Sequence, residues 1–183
     1  QVTKLKINSI FLKYPEAVSN AIATVDYQTE IKAITGLAKR NNWVANLAVN
    51  LAKRNENVFV MFKHIEHGKA LKDAILALGY DDVHYVSGEI NADRRNELKL
   101  LAERGKGMII VASYGVFSTG ISVKNLHHVI FAHPVKSKVT VLQTIGRVLR
   151  KHNSKKIAMI WDIVDDMSIT VERNGTKHRK NVN

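Results

Sequence analysis

The chain contains no cysteine, which excludes disulfide bonds and thiolate metal sites. No apolar run approaches the length that crosses a bilayer, and no signal peptide opens the sequence, so we expect a cytoplasmic protein without a membrane partner. No Gly-x-x-x-x-Gly-Lys-Ser/Thr phosphate loop and no Gly-x-Gly-x-x-Gly turn occurs. These two absences argue against a self-sufficient nucleoside triphosphatase and against a dinucleotide-binding enzyme.

Acidic residues are also scarce. Sixteen Asp and Glu face 28 Lys and Arg, which gives a formal net charge of +12. The excess is concentrated in residues 136–180, which hold eleven basic and four acidic side chains. A basic run is often only a solvated surface, but an overall excess of this size favours a polyanionic partner, and nucleic acid is the leading candidate.

Short apolar stretches alternate with helical patterns along most of the chain. Strands are predicted at 58–62, 83–86, 108–112, 128–131 and 157–163. Helices are predicted over 66–78, from a cap at Asn91 to Glu103, and from a cap at Ser137 to Lys151. Because the strands lack a polar face, the pattern predicts an α/β fold, with a mostly parallel sheet and helices on both faces.

The two ends of the chain fit this alternation less well. Residues 1–56 are interpreted as a lead-in strand followed by helices over 29–40 and 42–53, broken at Asn41-Asn42 and packed on the same domain. The main α/β domain is placed at 57–170. Residues 171–183 are polar and basic, and we expect a flexible tail there.

The segment Gln143–Arg150 carries two arginines, Arg147 and Arg150, about one helical turn apart. At this spacing both guanidinium groups are predicted to project from one face of a helix. Each is permanently charged and offers a planar fork of donors that suits phosphate oxygens. Gly146 either admits a neighbouring domain or reflects tight helix packing.

Four segments in sequence order give the chain a family resemblance. Gln143–Arg150 fits Gln-x-x-Gly-Arg-x-x-Arg, the pattern of motif VI in superfamily 2 helicases. Val58–Leu71 resembles their motif IV, Ser87-Gly88 with Arg95 resembles the motif that follows it, and Ala112–Ser122 resembles motif V. The chain is therefore similar to the second, C-terminal RecA-like domain of these enzymes, a P-loop NTPase-like fold that lacks its own phosphate loop.

The resemblance implies a role in ATP hydrolysis together with an absent N-terminal RecA-like domain, which would hold most of the ATP and its Mg²⁺. Arg147 and Arg150 would be arginine fingers, a device that contributes roughly 10³ to 10⁵ in rate. Gln143, Gly120 and Ser122 would also lie against the nucleotide. Many relatives carry an aspartate where this chain has Ser122, so a carboxylate contact to the ribose does not carry over.

The same resemblance implies contacts with a nucleic-acid backbone that are independent of base sequence. The candidates are Lys63, His64, Arg95, Ser113 and Thr119. His64 stands where relatives usually have Ser or Thr. Arg95 could instead be an ordinary surface residue, and Thr119 could only support its loop.

No metal site is predicted. His64 and His67 have a spacing compatible with zinc, but no third ligand is evident. Asp162, Asp165 and Asp166 follow an apolar strand in the manner of a magnesium-holding Walker B segment, yet no phosphate loop precedes them.

Two functions of different classes remain open at this point. The first is the motor domain of an ATP-dependent helicase or translocase that acts on DNA, branched or forked, in recombination, repair or replication restart, with RNA not excluded. The second is a non-catalytic nucleic-acid-binding module whose arginines contact only backbone phosphates. Motif VI favours the motor, although this chain alone is expected to be inactive.

Overall fold

The computed structural model describes residues 3–88, 91–119, 123–135, 137–153, 155–173 and 176–182; the side chains of 23, 95, 117–119, 138, 168–173 and 176–182 are outside that description. The strands, numbered in chain order, are β1 (Lys4–Lys13), β2 (Val58–Phe62), β3 (Val83–Val86), β4 (Ile109–Ser113), β5 (His128–Phe131), β6 (Ile157–Arg173) and β7 (Thr176–Val182). The helices are α1 (Glu16–Ala23), α2 (Tyr27–Thr35), α3 (Ala38–Ala52), α4 (Ile65–Ala77), α5 (Ala92–Arg104), α6 (Tyr114–Thr119) and α7 (Lys138–Val148).

All seven strands belong to one sheet. Six of them run parallel in the order β1-β6-β5-β2-β4-β3, and β7 pairs antiparallel with β6. Strands β2, β4 and β5, in the middle of the sheet, are almost entirely buried, because helices cover both faces of a parallel sheet. The α/β architecture predicted from the sequence is confirmed.

Successive residues of β2 point to opposite faces and enter two separate cores. Val58, Val60 and Phe62 pack with α3 and α4 on one face of the sheet. Phe59 and Met61 pack on the other face, together with apolar residues of α5, α6 and α7. The helices cover the two faces of the sheet and not the carboxyl ends of its strands. Ligands bind at this edge in folds of this kind.

The helices before β2 differ from the prediction. The break lies at Gly36-Leu37 and not at Asn41-Asn42, because Asn41 is accommodated inside α3. Its amide Nδ2 donates to Thr35 O at 2.9 Å, which satisfies a carbonyl at the end of α2. Helix α1, which the sequence did not predict, packs with α2 in a small third cluster that includes Met167.

The two ends of the chain both join the sheet. The predicted lead-in strand is confirmed as β1, which pairs with β6 from Lys4 opposite Ile157 to Lys13 opposite Asp166. Strand β6 runs ten residues past the predicted end of that strand. Much of the segment expected to be a flexible tail lies in the ladder between β6 and β7, which the sequence did not predict.

Candidate functional site

The first candidate site lies where β2 and β4 end side by side. Phe62 is paired with Ser113 in the parallel register, so the residues that follow, Lys63 and Tyr114, leave the sheet next to each other. His133 follows β5, which pairs with β2 on its other side. The segments that follow β2, β4 and β5 therefore converge at the carboxyl edge of the sheet.

These loops border a cleft of about 450 Å³. Its lining includes two residues predicted to contact nucleic acid, Lys63 and His64, and the amino-terminal turn of α7. The other lining residues are Tyr27, Gln28, Ile31, Tyr114, Gly115, His133, Pro134, Val135, Ser137 and Thr140. Tyr114 and His133 were not among the individual residues predicted to bind a ligand, although each lies in the segment that follows a strand, which was a usable signal.

Three histidines pack together at and beside this cleft. The His64 ring meets the His133 ring edge-on at a centroid distance of 5.0 Å. His67 Nε2 donates to Asn41 Oδ1 at 3.2 Å, an orientation fixed because the amide of Asn41 is itself a donor to Thr35 O. Burial lowers the pKa of His67 and the pKa of His133 to about 3 each, with further lowering from neighbouring positive charges.

The other residues predicted to contact nucleic acid are Ser113, Arg95 and Thr119, and of these only Ser113 has a described side chain. Ser113 ends β4, and its Oγ accepts from Val116 N at 3.4 Å, so this hydroxyl already caps α6. Arg95 lies on α5 and Thr119 ends α6, but their side chains are outside the description. The structure thus brings Lys63, His64 and Ser113 to one edge and leaves the other two unassigned.

The second candidate site is the carboxyl end of α7. Ser137 caps this helix as predicted, with its side chain accepting from Thr140 N. The helix ends at Val148 and not at Lys151, so Arg147 lies in its last turn and Arg150 lies beyond it. Arg150 N donates to Arg147 O at 3.3 Å, which makes a tight turn that continues from the helix.

Arg147 and Arg150 remain electrostatic neighbours despite this correction. Partial burial lowers the pKa of Arg147, and the positive charge of Arg150 lowers it further. Gln143 is exposed one turn before Arg147 on the same helix. Two adjacent guanidinium groups with a nearby amide form a donor set suited to an anion that carries several oxygens.

Gly146 lies between these residues and faces open space. A Cβ built there would meet nothing within 4 Å among the described residues. Tight packing against the described residues therefore does not explain the glycine.

Several contacts fix the end of α7. Val148 is fully buried in the core on this face of the sheet. Its carbonyl accepts from Lys155 Nζ at 2.7 Å, and the carbonyl of Leu149 accepts from Thr3 N at 3.3 Å. The last carbonyls of a helix have no partner within it, so these external donors hold the turn that carries Arg150.

A basic cleft of about 530 Å³ lies beside this turn, where β1 and β6 begin. Four lysines and a histidine line it together with three other residues: Thr3, Lys4, Lys151, His152, Asn153, Lys155, Lys156 and Ile157. Three lysines of the basic segment 136–180 thus lie at a cleft beside the turn that carries Arg150.

Gly120 and Ser122, predicted to contact a nucleotide, lie outside the described residues. The described chain resumes at Val123, and the position of this segment is set by Lys124 and Asn125. Lys124 N donates to Glu103 Oε1 at 2.5 Å and Lys124 O accepts from Lys155 Nζ at 3.1 Å. Asn125 Nδ2 donates to carbonyls around the end of α5.

Two aspartates of β6 are removed from solvent: Asp165 is buried and Asp162 is partly buried. Asp165 is fully buried in an ion pair with Arg40, and burial raises the pKa of Asp162. Across the described ranges, no group of three His, Asp or Glu side chains is arranged to hold a metal ion. In the same part of the chain, no helix combines the length and apolar character of a membrane span.

The fold and a family match define a class of protein. Residues 39–152 match the family described as helicase conserved C-terminal domain. The chain belongs to this family, and its sheet and helices are those of the C-terminal RecA-like domain of superfamily 2 helicases.

Two individual helicases are similar to this chain in sequence. The chain is 61% identical over 179 residues to the ATP-dependent DNA helicase uvsW of Enterobacteria phage T4, an alignment that covers 98% of this chain and 36% of the relative. A putative ATP-dependent helicase of Saccharomyces cerevisiae, IRC3, is 25% identical over 139 residues, which are 67% of this chain and 20% of that protein. The chain thus spans about a third or less of the length of these relatives.

Two solved structures are similar to this chain in fold. The crystal structure of T4 UvsW matches with a TM-score of 0.81 and 59% identity, covering 100% of this chain and 37% of that one. The Sulfolobus solfataricus SWI2/SNF2 ATPase core domain matches with a TM-score of 0.65 at 10% identity, covering 88% of this chain and 40% of that chain. The second likeness concerns the fold alone.

Proposed function

We propose that this chain is the C-terminal motor domain of an ATP-dependent DNA helicase or translocase. Its partner would be an N-terminal RecA-like domain of the same protein, which holds most of the ATP and its Mg²⁺. The observation that carries this proposal is the pairing of Arg147 with Arg150 at a helix end held from outside by Lys155 and Thr3.

The donor set fits part of an ATP site. Two guanidinium groups and the exposed amide of Gln143 can bind phosphate oxygens, whereas the sequence has no phosphate loop to enclose them. ATP supplies the phosphoanhydride bond whose cleavage releases free energy. Arg147 and Arg150 would stabilise the negative charge that develops on the terminal phosphate, and Gln143 would orient them.

Gly146 supports an approach from outside the chain. Its open Cβ position leaves room for a second domain against the helix that carries both arginines. Gly120 and Ser122 are proposed to lie in the same interdomain gap, since they resemble the motif that relatives place there.

The cleft at the carboxyl edge of the sheet is the proposed track for DNA. Lys63 and His64 line it, and Ser113 lies at the adjoining strand end, so cationic and polar groups are available to a phosphodiester backbone. Arg95 and Thr119 are proposed to extend the track. Backbone contacts alone would not distinguish DNA from RNA, and branched or forked DNA is proposed on the similarity to UvsW.

Replacement of Arg150 by alanine in a chain with both RecA-like domains tests this function. Loss of an arginine finger is expected to lower DNA-stimulated ATP hydrolysis by at least 10³-fold while the DNA dissociation constant changes less than about threefold. Lys53→Ala, an exposed site away from both clefts, is the matched control. Unchanged hydrolysis, or a loss of binding in step with hydrolysis, would show that the arginine-finger assignment is wrong.

A further inference from the structure

Lys155 is a buried cation without a carboxylate as hydrogen-bond partner in the described part of the chain. Only 6% of the residue is exposed, yet its ammonium group donates to two backbone carbonyls, Val148 O at 2.7 Å and Lys124 O at 3.1 Å. Burial lowers its pKa to about 8, and the charge of Glu103 opposes that shift. A buried charge is costly, and here the two carbonyls compensate in part for its loss of hydration.

The first carbonyl belongs to the segment that the proposed function places against the nucleotide, and the second belongs to a residue that closely follows Gly120 and Ser122 in the sequence. Val148 lies between Arg147 and Arg150 in the sequence. Lys124 lies two residues after Ser122. One ammonium group therefore joins the end of the arginine-bearing helix to the segment that follows Gly120–Ser122.

The segment around Lys124 has a second anchor, near the end of α5. Glu103, near the end of α5, accepts from Lys124 N at 2.5 Å, and its other oxygen lies 3.9 Å from His152 Nε2. The backbone of Lys124 is thus held through both its N–H and its carbonyl. A displacement of this segment would move Lys124 O, which accepts from the same ammonium group as Val148 O at the end of α7.

We propose that Lys155 is a positioning residue that holds the arginine-bearing end of α7 at a fixed distance from the backbone of Lys124, an inference that rests on the proposed function. Lys155 makes no contact with substrate in this role. It acts through the backbone of Val148 and Lys124, and its positive charge also suits the negative end of the α7 dipole.

The test is steady-state ATP hydrolysis by the full protein, with both RecA-like domains, carrying Lys155→Met. Arginines that are slightly misplaced lose transition-state contacts, so kcat is expected to fall at least tenfold while KM for ATP and DNA affinity stay within about twofold. Lys53→Met is the control for loss of a lysine charge. A kcat within twofold of the wild-type value overturns the inference.

A double variant separates positioning from a general structural role. If Lys155 acts through the arginine pair, Lys155→Met in an Arg150→Ala background is expected to lower kcat less than twofold further. Losses that multiply overturn the inference. If Lys155→Met does not fold, Lys155→Gln, whose amide can still donate to one carbonyl, is measured in the same two backgrounds against the same criteria.

The outcomes also distinguish the two proposals. Unchanged hydrolysis by Arg150→Ala removes the arginine-finger function itself, whatever Lys155→Met does. A large loss with Arg150→Ala and a normal kcat with Lys155→Met leaves the function in place and removes only the positioning role.

Discussion

Arg40 and Asp165, 125 positions apart in the sequence, form a two-point ion pair inside the protein. Arg40 Nε lies 2.7 Å from Asp165 Oδ1, and Nη2 lies 2.8 Å from Oδ2. The third nitrogen, Nη1, donates to Ala132 O at 2.7 Å, and Tyr14 donates its hydroxyl to the same carboxylate. Since the residues are 3% and 0% exposed, this pair joins α3 to β6 and to the end of β5 in a dry environment.

Replacement of Arg40 by methionine is expected to destabilise the chain by about 3–5 kcal/mol, because it leaves the Asp165 carboxylate buried and unpaired. Urea unfolding followed by circular dichroism measures this change. The exposed Arg54→Met variant is the control and should stay within about 0.5 kcal/mol. A cost below about 1 kcal/mol for Arg40→Met would contradict the importance of the pair.

Acid is expected to destabilise the fold through His67. Its pKa is about 3 in the folded state and near 6.5 when unfolded, so the unfolded chain binds more protons between these values. The contribution of neutral His67 to stability is complete above pH 6.5 and declines as the pH falls toward 3. By pH 5 the loss from this residue is about 2 kcal/mol.

Urea unfolding at pH 7 and pH 5 measures this dependence. His67→Gln keeps a donor for Asn41 but cannot titrate, so its stability should change about 2 kcal/mol less between the two pH values than that of the wild type. His133 is expected to contribute in the same direction in both proteins. Identical pH dependence in the variant and the wild type would show that His67 is not a buried neutral base.

Gly146→Ala should separate stability from activity. Alanine favours a helix over glycine by roughly 0.5–1 kcal/mol, and the new methyl group enters open space, so the chain should become more stable. In a protein with both RecA-like domains, the same methyl group occupies the proposed interdomain gap, and ATP hydrolysis should fall. Gly68→Ala is the opposite control, since its Cβ would lie 2.6 Å from the Phe62 ring and should destabilise the chain.

Thermal unfolding of the 183-residue chain and hydrolysis by the longer protein are the two measurements for Gly146→Ala. Higher stability combined with unchanged hydrolysis would remove the argument that this glycine admits a second domain.

Lys63→Ala tests the proposed track for DNA. Loss of one phosphate contact should weaken binding uniformly across DNA sequences and reduce the slope of log K against log salt by about one. Salt titrations of DNA binding by fluorescence anisotropy measure the slope, with Lys53→Ala as the control. An unchanged slope would place Lys63 outside the interface.

The alternation of strands and helices was predictable because its signals are local. Each central strand is a short apolar run, and caps such as Asn91 and Ser137 mark helix starts by hydrogen bonds within three or four residues. The family was recognised because four segments, in sequence order, resemble helicase motifs, among them the segment with Gln143, Arg147 and Arg150. Their individual roles stay predictions.

What the sequence did not reveal depends on contacts between distant residues. The Asn41-Asn42 pair looked like a helix break, but the first amide is satisfied by Thr35 and His67. Lys155 looked like one more residue of a basic surface, and only the fold brings it to the carbonyls of Lys124 and Val148. The extension of β6 and its pairing with β7 likewise had no periodic signal strong enough to predict.

The pairing of β1 with β6 also has a consequence for synthesis. The first strand pairs with residues that follow it by 153 positions, since Lys4 lies opposite Ile157. At roughly 5–20 residues per second, a ribosome needs on the order of 10–30 seconds to supply that partner. During this delay the nascent chain exposes an unpaired strand edge together with Leu5, Ile10 and Leu12, which pack against the cores only in the folded chain, so the strand is a natural substrate for chaperones and a site for premature aggregation.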